Sequence, residues 1–208
     1  MKTKRILAFT LTFLFLLPVA TLMAQTPNQY QDLLLQSESG KLRIGLTGQY
    51  NMMVGKGFSG VYGKPMGIGL NVSYQFADEF DLVFSYSYSS KKKPVDWLPD
   101  SEDMQFKLYP IQLSVRYYFL QKDNLLAYTG AGVNYVIFKD VNPLETIDQK
   151  MPGFNALVGI YYKLSDDLYF QTMAQFNLAQ KSIHPDAQYK LDLTNLNFQI
   201  GLAYGFDL

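Results

Sequence analysis

Residues 67–89 read GIGLNVSYQFADEFDLVFSYSYS. Ile68, Leu70, Val72, Tyr74 and Phe76 recur at every second position and oppose Gly67, Gly69, Asn71, Ser73 and Gln75. After the short polar connection Ala77–Glu79 the pattern resumes, with Phe80, Leu82, Phe84, Tyr86 and Tyr88 set against Asp81, Ser85, Ser87 and Ser89. A period of two sends successive side chains to opposite faces of a strand. The stretch therefore predicts two strands joined by a tight turn, each with one apolar and one polar face.

The same alternation extends in both directions. Upstream, Leu42, Ile44, Leu46, Tyr50 and Met52 oppose Lys41, Arg43, Thr47, Gln49 and Asn51. Downstream, Tyr109 to Phe119 alternate with Pro110, Gln112, Ser114, Arg116 and Tyr118, and a run of smaller residues follows from Leu125 to Phe138. Phe154 to Tyr162 and Leu168 to Leu178 give two more runs, the second with Gln171, Gln175 and Asn177 on its polar face. The last run sets Leu196, Phe198, Ile200, Leu202, Tyr204 and Phe206 against Asn195, Asn197, Gln199, Gly201 and Gly205. These are eight runs, each near or above the roughly 9–11 residues a tilted strand needs to cross a bilayer. An even count lets a sheet close with antiparallel neighbours.

Connections of two lengths alternate. Ala77–Glu79, Gln121–Asn124 and Ser165–Asp167 are tight and polar, whereas Val54–Met66, Lys91–Met104, Lys139–Pro152 and Lys181–Lys190 are long. Short turns on one side and long loops on the other mark a barrel of the bacterial outer membrane. A soluble barrel hides its apolar face and shows the polar one to water. Here the polar faces carry Gly, Ser, Asn and Gln far more than Lys and Glu, which suits a crowded, hydrogen-bonded lumen. Hydrocarbon offers no partner for backbone N–H and C=O groups, so strands enter it only in a closed sheet. Eight strands leave an interior that side chains can fill.

Composition agrees. In 208 residues, hydrophobic residues make up 48% and charged ones 17%, with 16 Tyr and 15 Phe. Eighteen basic and eighteen acidic residues cancel, so no charge excess points to nucleic acid. The absence of cysteine excludes disulfides, thiolate metal sites and cysteine nucleophiles. Lys2, Lys4 and Arg5 precede the apolar stretch Ile6–Leu17, then Pro18 and a cleavage-like Leu22-Met23-Ala24-Gln25, the layout of a secretory signal. Residues 1–24 are thus expected to be a cleaved signal peptide, 25–40 a periplasmic lead and 41–208 the barrel. No cofactor is called for.

The stretch Pro110–Phe138, PIQLSVRYYFLQKDNLLAYTGAGVNYVIF, resembles the OmpW family of small outer-membrane barrels. Pro110, Tyr117–Phe119, Tyr128, Gly130–Gly132, Asn134, Tyr135 and Phe138 carry the likeness. The resemblance implies a narrow, partly apolar barrel that passes small hydrophobic molecules toward the membrane through a lateral opening. At the C-terminus, Gln199, Gly201, Tyr204 and Phe206 resemble the signal by which the barrel assembly machinery accepts its clients, although Asp207 and Leu208 follow the last aromatic.

Several residues are candidates for function. The lumen candidates are Arg43, Asp81, Arg116, Tyr128, Asn134 and Gln175. The three charged ones belong inside, because a charge facing lipid costs roughly 2–4 kcal/mol at mid-membrane; they serve as an interior ion-pair network or as solute ligands. Gly130 and Gly132 sit within a strand pattern, where glycine gives room for a neighbouring side chain, here a tyrosine, rather than cradling phosphate. Lys91, Lys92 and Lys93 stand where a strand leaves the membrane, placed either for lipopolysaccharide phosphates or as a solvated flank. Trp97 in the same loop suits an aromatic girdle. Ser182, His184 and Asp186 suggest a hydrolase, but three catalytic groups must be brought together in space rather than in one short loop, and a lone histidine argues against a metal site. Three functions follow: a channel for small hydrophobic molecules, a non-transporting barrel acting through its outer loops, and, least supported, a lipid A-modifying enzyme.

Overall fold

The computed structural model describes residues 40–55, 63–93, 104–141, 146–182 and 190–208. The expected signal peptide, nearly all of the periplasmic lead, Trp97, His184 and Asp186 lie outside them. The described strands are β1 (Lys41–Met53), β2 (Met66–Ala77), β3 (Phe80–Lys93), β4 (Met104–Lys122), β5 (Leu125–Val141), β6 (Thr146–Lys163), β7 (Leu168–Ser182), β8 (Lys190–Asp192) and β9 (Asn195–Asp207). Each strand from β1 to β7 pairs antiparallel with the next, β9 pairs with β7, and β1 closes on β9. The result is an up-and-down barrel of eight strands, with β8 as a three-residue addition beside β7.

Burial follows the alternation. Along β1 every residue from Lys41 to Met53 at an odd position is buried. The outward face is apolar around the ring: Leu46, Ile68, Leu70, Phe84, Leu113, Val133, Phe154, Phe176, Ile200 and Leu202 are all exposed. A continuous apolar surface of that kind is stable only against hydrocarbon. Among the described residues no helix is long and apolar enough to cross a membrane.

The turns at one end are tight. Asp123, between β4 and β5, has φ 48°, the left-handed conformation that two-residue hairpin turns require and Asp tolerates. Both described chain ends lie at this end, where the Leu208 N–H donates to the Gly40 carbonyl at 3.2 Å.

The opposite end departs from expectation. The anticipated long loop Lys139–Pro152 is mostly strand: β5 and β6 stay paired to Val141 and Thr146, leaving residues 142–145 as the connection. Strand β4 begins at Met104, five residues before the alternating run that predicted it. The reason is a reversal of polarity. Below Tyr109 in β4, apolar Phe106 and Leu108 point inward while Lys107 points outward, opposite to the order in the membrane-facing part. The same inversion in β5 buries Val136 and Phe138 and turns Lys139 out. Above the membrane the sheet obeys the rules of a soluble protein.

Candidate functional site

The lumen is filled in three layers. The layer nearest the tight turns is charged and aromatic. The Arg116 guanidinium donates through Nε to Asp81 Oδ1 at 2.8 Å and through Nη2 to Asp81 Oδ2, and through Nη1 to the Tyr161 hydroxyl at 3.0 Å. Tyr118 donates its hydroxyl to the same carboxylate at 2.7 Å. The ion pair is almost fully buried, with side-chain exposures of 3% and 0%, so its stability depends on this full set of donors. Arg116 lies 4.5 Å from the ring centre of Tyr128, and Arg43 lies 5.2 Å from that of Tyr169, which adds cation–π attraction in a desolvated place. Arg43 also donates to Gln75 Oε1 at 2.8 Å and to the Tyr118 hydroxyl at 3.3 Å.

Glycine supports this packing at two positions. A methyl group at Gly130 would come within 2.5 Å of the Val115 carbonyl and 3.0 Å of Arg116 Cγ, and one at Gly159 within 2.6 Å of both the Thr172 carbonyl and the Tyr128 hydroxyl. The tyrosine expected beside Gly130 is therefore accommodated by Gly159, while Gly130 lies against the Val115 carbonyl and the Arg116 side chain of β4.

The middle layer is amide and hydroxyl. Gln175 on β7 donates to Gln112 Oε1 on β4 at 3.0 Å, and Gln112 donates to Asn177 Oδ1 at 3.1 Å. These strands are not neighbours in the ring, so the bonds cross the bore. Asn51 to Ser89 (2.8 Å) and Ser114 to Asn155 (2.9 Å) also join non-neighbouring strands. Between them lies a cavity of about 10 Å³, lined by Thr47, Asn71, Gln112, Gln171 and Gln199 among others. That is near the lower limit for a single water. Asn71 Oδ1 and Gln171 Nε2, which face it, lack a protein partner.

The outer layer is apolar. Met53, Phe106, Leu108, Val136, Phe138, Met151, Ala179, Leu191 and Leu193 form one buried cluster. Leu191 and Leu193 flank Asp192, where the chain folds inward before β9; Thr194 closes that turn through a hydrogen bond from its N–H to Asp192 Oδ1 at 3.1 Å.

All six lumen candidates lie inside the wall: Arg43, Asp81, Arg116 and Tyr128 in the charged layer, Gln175 and Asn134 in the amide layer. The apolar cluster was missed by sequence reasoning because its residues share the parity of the polar face. The signal was present as Phe106-Lys107-Leu108 and Met151 beside Lys150, alternation of inverted phase.

At the C-terminus, Gln199 is buried and Gly201 faces inward, while Tyr204 and Phe206 point outward with ring centres 4.9 Å apart. Lys91, Lys92 and Lys93 do not form one face. Lys91 and Lys93 pair with Phe106 and Met104 on the inner side, and Lys92 pairs with Gln105 on the outer.

A profile of the Outer membrane protein beta-barrel domain matches residues 12–206. The chain belongs to that family. Its place is the bacterial outer membrane, which accounts for the exposed apolar band and sets the tight turns on the periplasmic side. Solved structures share the outer-membrane barrel fold. OprG from Pseudomonas aeruginosa is 18% identical with a TM-score of 0.64, covering 82% of this chain and 97% of that one. Neisserial surface protein A is 14% identical with a TM-score of 0.60, covering 82% and 100%. The attachment invasion locus protein Ail of Yersinia pestis, solved with the heparin analogue sucrose octasulfate, is 14% identical with a TM-score of 0.53, covering 81% and 99%. No curated protein matches the chain in sequence.

Proposed function

We propose that this outer-membrane barrel is a closed anchor that acts through its outer rim and loops rather than a conduit through its bore. The observation that carries the reading is the amide layer, in which Gln112 and Gln175 bond across the lumen and leave a cavity of about 10 Å³. A solute crossing that layer would strip buried amides of their partners, at about 1–3 kcal/mol for each group left unsatisfied. The β4–β6 wall supports a presenting role. Val141 stands four residues beyond Ile137 along β5, roughly 13 Å at a strand's rise.

A second reading has an observation in its favour. The apolar outer layer, lined by Phe106, Phe138, Met151 and Leu193, is chemically suited to a small hydrophobic molecule that enters from outside and leaves sideways into the membrane. The OmpW-like stretch Pro110–Phe138 implies the same behaviour. Such a route stops above the amide layer and needs no open bore.

Liposomes carrying the refolded protein separate the two. With a small hydrophobic compound and a polar one of similar size outside, the anchor reading expects both to enter at the rate of protein-free liposomes. Selective, protein-dependent entry of the hydrophobic compound would replace it with the carrier reading.

A further inference from the structure

The outward face of β3–β6 changes character along one line. Tyr88 and Tyr109 touch, with ring centres 5.1 Å apart, and Tyr86, Ile111 and Tyr135 continue the same level inward toward the membrane. Tyrosines at this height form the aromatic girdle that marks the membrane interface. Four lysines share the outward face here, three immediately beyond the girdle and the fourth, Lys150, in the row of Tyr109 itself. Lys107 is paired directly with Lys139, Lys139 with Asp148, Lys92 lies one row further out opposite Gln105, and Lys150 lies one row further in opposite Ile137.

Lys107 and Lys139 are directly opposed in the ladder, and like charges so placed repel. Asp148 offsets Lys139 at 3.2 Å, with both side chains about half exposed at 44% and 43%, so among the described residues Lys107 is the member of the pair with no carboxylate at ion-pair distance. Four lysines less one aspartate leave a net charge of +3 on the described patch. With the tight turns periplasmic, the patch sits at the headgroup level of the outer leaflet, where the available anions are lipid phosphates.

We propose that Lys92, Lys107, Lys139 and Lys150 form a binding site for the phosphate groups of lipid A, with the Lys107–Lys139 pair as its centre. The site lies on the lipid-facing surface and is independent of whether the lumen conducts. Its acyl chains would lie along the girdle and the apolar wall beneath it. A basic cluster at a membrane surface gains attraction to anionic lipid with each added cation, and phosphate bridging two ammonium groups removes their mutual repulsion.

The test is a titration of full-length protein, refolded in maltoside micelles, with fluorescently labelled phosphorylated lipid A. The double variant Lys107→Gln/Lys139→Gln should bind roughly tenfold or more weakly. Lys122→Gln, at the periplasmic end, should bind as the wild type does. Dephosphorylated lipid A should bind the wild type no better than the phosphorylated form binds the double variant, and phosphatidylglycerol should compete only weakly. Heat-modifiable gel mobility establishes that each variant is folded, and Lys92→Gln/Lys150→Gln takes the place of the first double variant should that one fail to fold. Unchanged affinity in a folded double variant, equal binding of dephosphorylated lipid A, or equal competition by phosphatidylglycerol would each overturn the proposal.

Discussion

At the periplasmic end of the lumen Arg116 and Asp81 share a buried, multiply hydrogen-bonded ion pair; at the outer end Phe106 and Phe138 pack ring to ring at 5.4 Å within an apolar cluster. Directional bonds between charges fix one arrangement, since any displacement leaves a desolvated charge without its partner. Apolar packing tolerates rearrangement, because hydrophobic contacts are non-directional. The barrel is therefore most rigid where it faces the periplasm and most adaptable where it faces outside, with the amide layer separating the two.

Removing one partner of the ion pair has the largest expected effect. Asp81→Ala leaves Arg116 buried without its carboxylate and should lower stability by about 3–5 kcal/mol in urea unfolding from short-chain lipid bilayers. A loss no larger than that of trimming the outer cluster would mean that the periplasmic end is not the more firmly held. Leu193→Ala trims the outer cluster, and a loss of about 2–3 kcal/mol is expected in the same assay, at the low end for a core leucine because the outer end can admit water. Because the Gln112–Gln175 bond is untouched, the variant should remain closed to ions. A loss of similar or smaller size is expected at Gly159→Ala, where the added methyl meets both the Tyr128 hydroxyl and the Thr172 backbone carbonyl at 2.6 Å. Overpacking of this kind costs about 1–3 kcal/mol, and tyrosine fluorescence should report the displaced ring.

How much of this was legible in the sequence depends on which solvent each residue meets. Within the membrane, Ile68, Leu70 and Val72 against Gly69, Asn71 and Ser73 gave strand, face and register together, because lipid outside and a packed lumen inside impose opposite demands. The charged lumen residues followed from the same rule, since Arg43, Asp81 and Arg116 had no acceptable outward position. Which of them would bond was not legible. The Arg116–Asp81 pair depends on the β3–β4 register, and the contact of Gly159 with Tyr128 on β-strand pairing across β5 and β6. At the outer end the rule changed sign. Phe106, Leu108 and Met151 turn inward and Lys107, Lys139 and Lys150 outward, so a search for one constant phase read true strand as loop and overlooked both the apolar layer and the lysine patch.

The central claim is that the bore is closed, and ion conductance across a planar bilayer tests it most directly. The refolded wild-type barrel is expected to add no current steps above those of the protein-free membrane. Stable, protein-dependent conductance steps would contradict it, because ions could pass only if the Gln112–Gln175 layer were open.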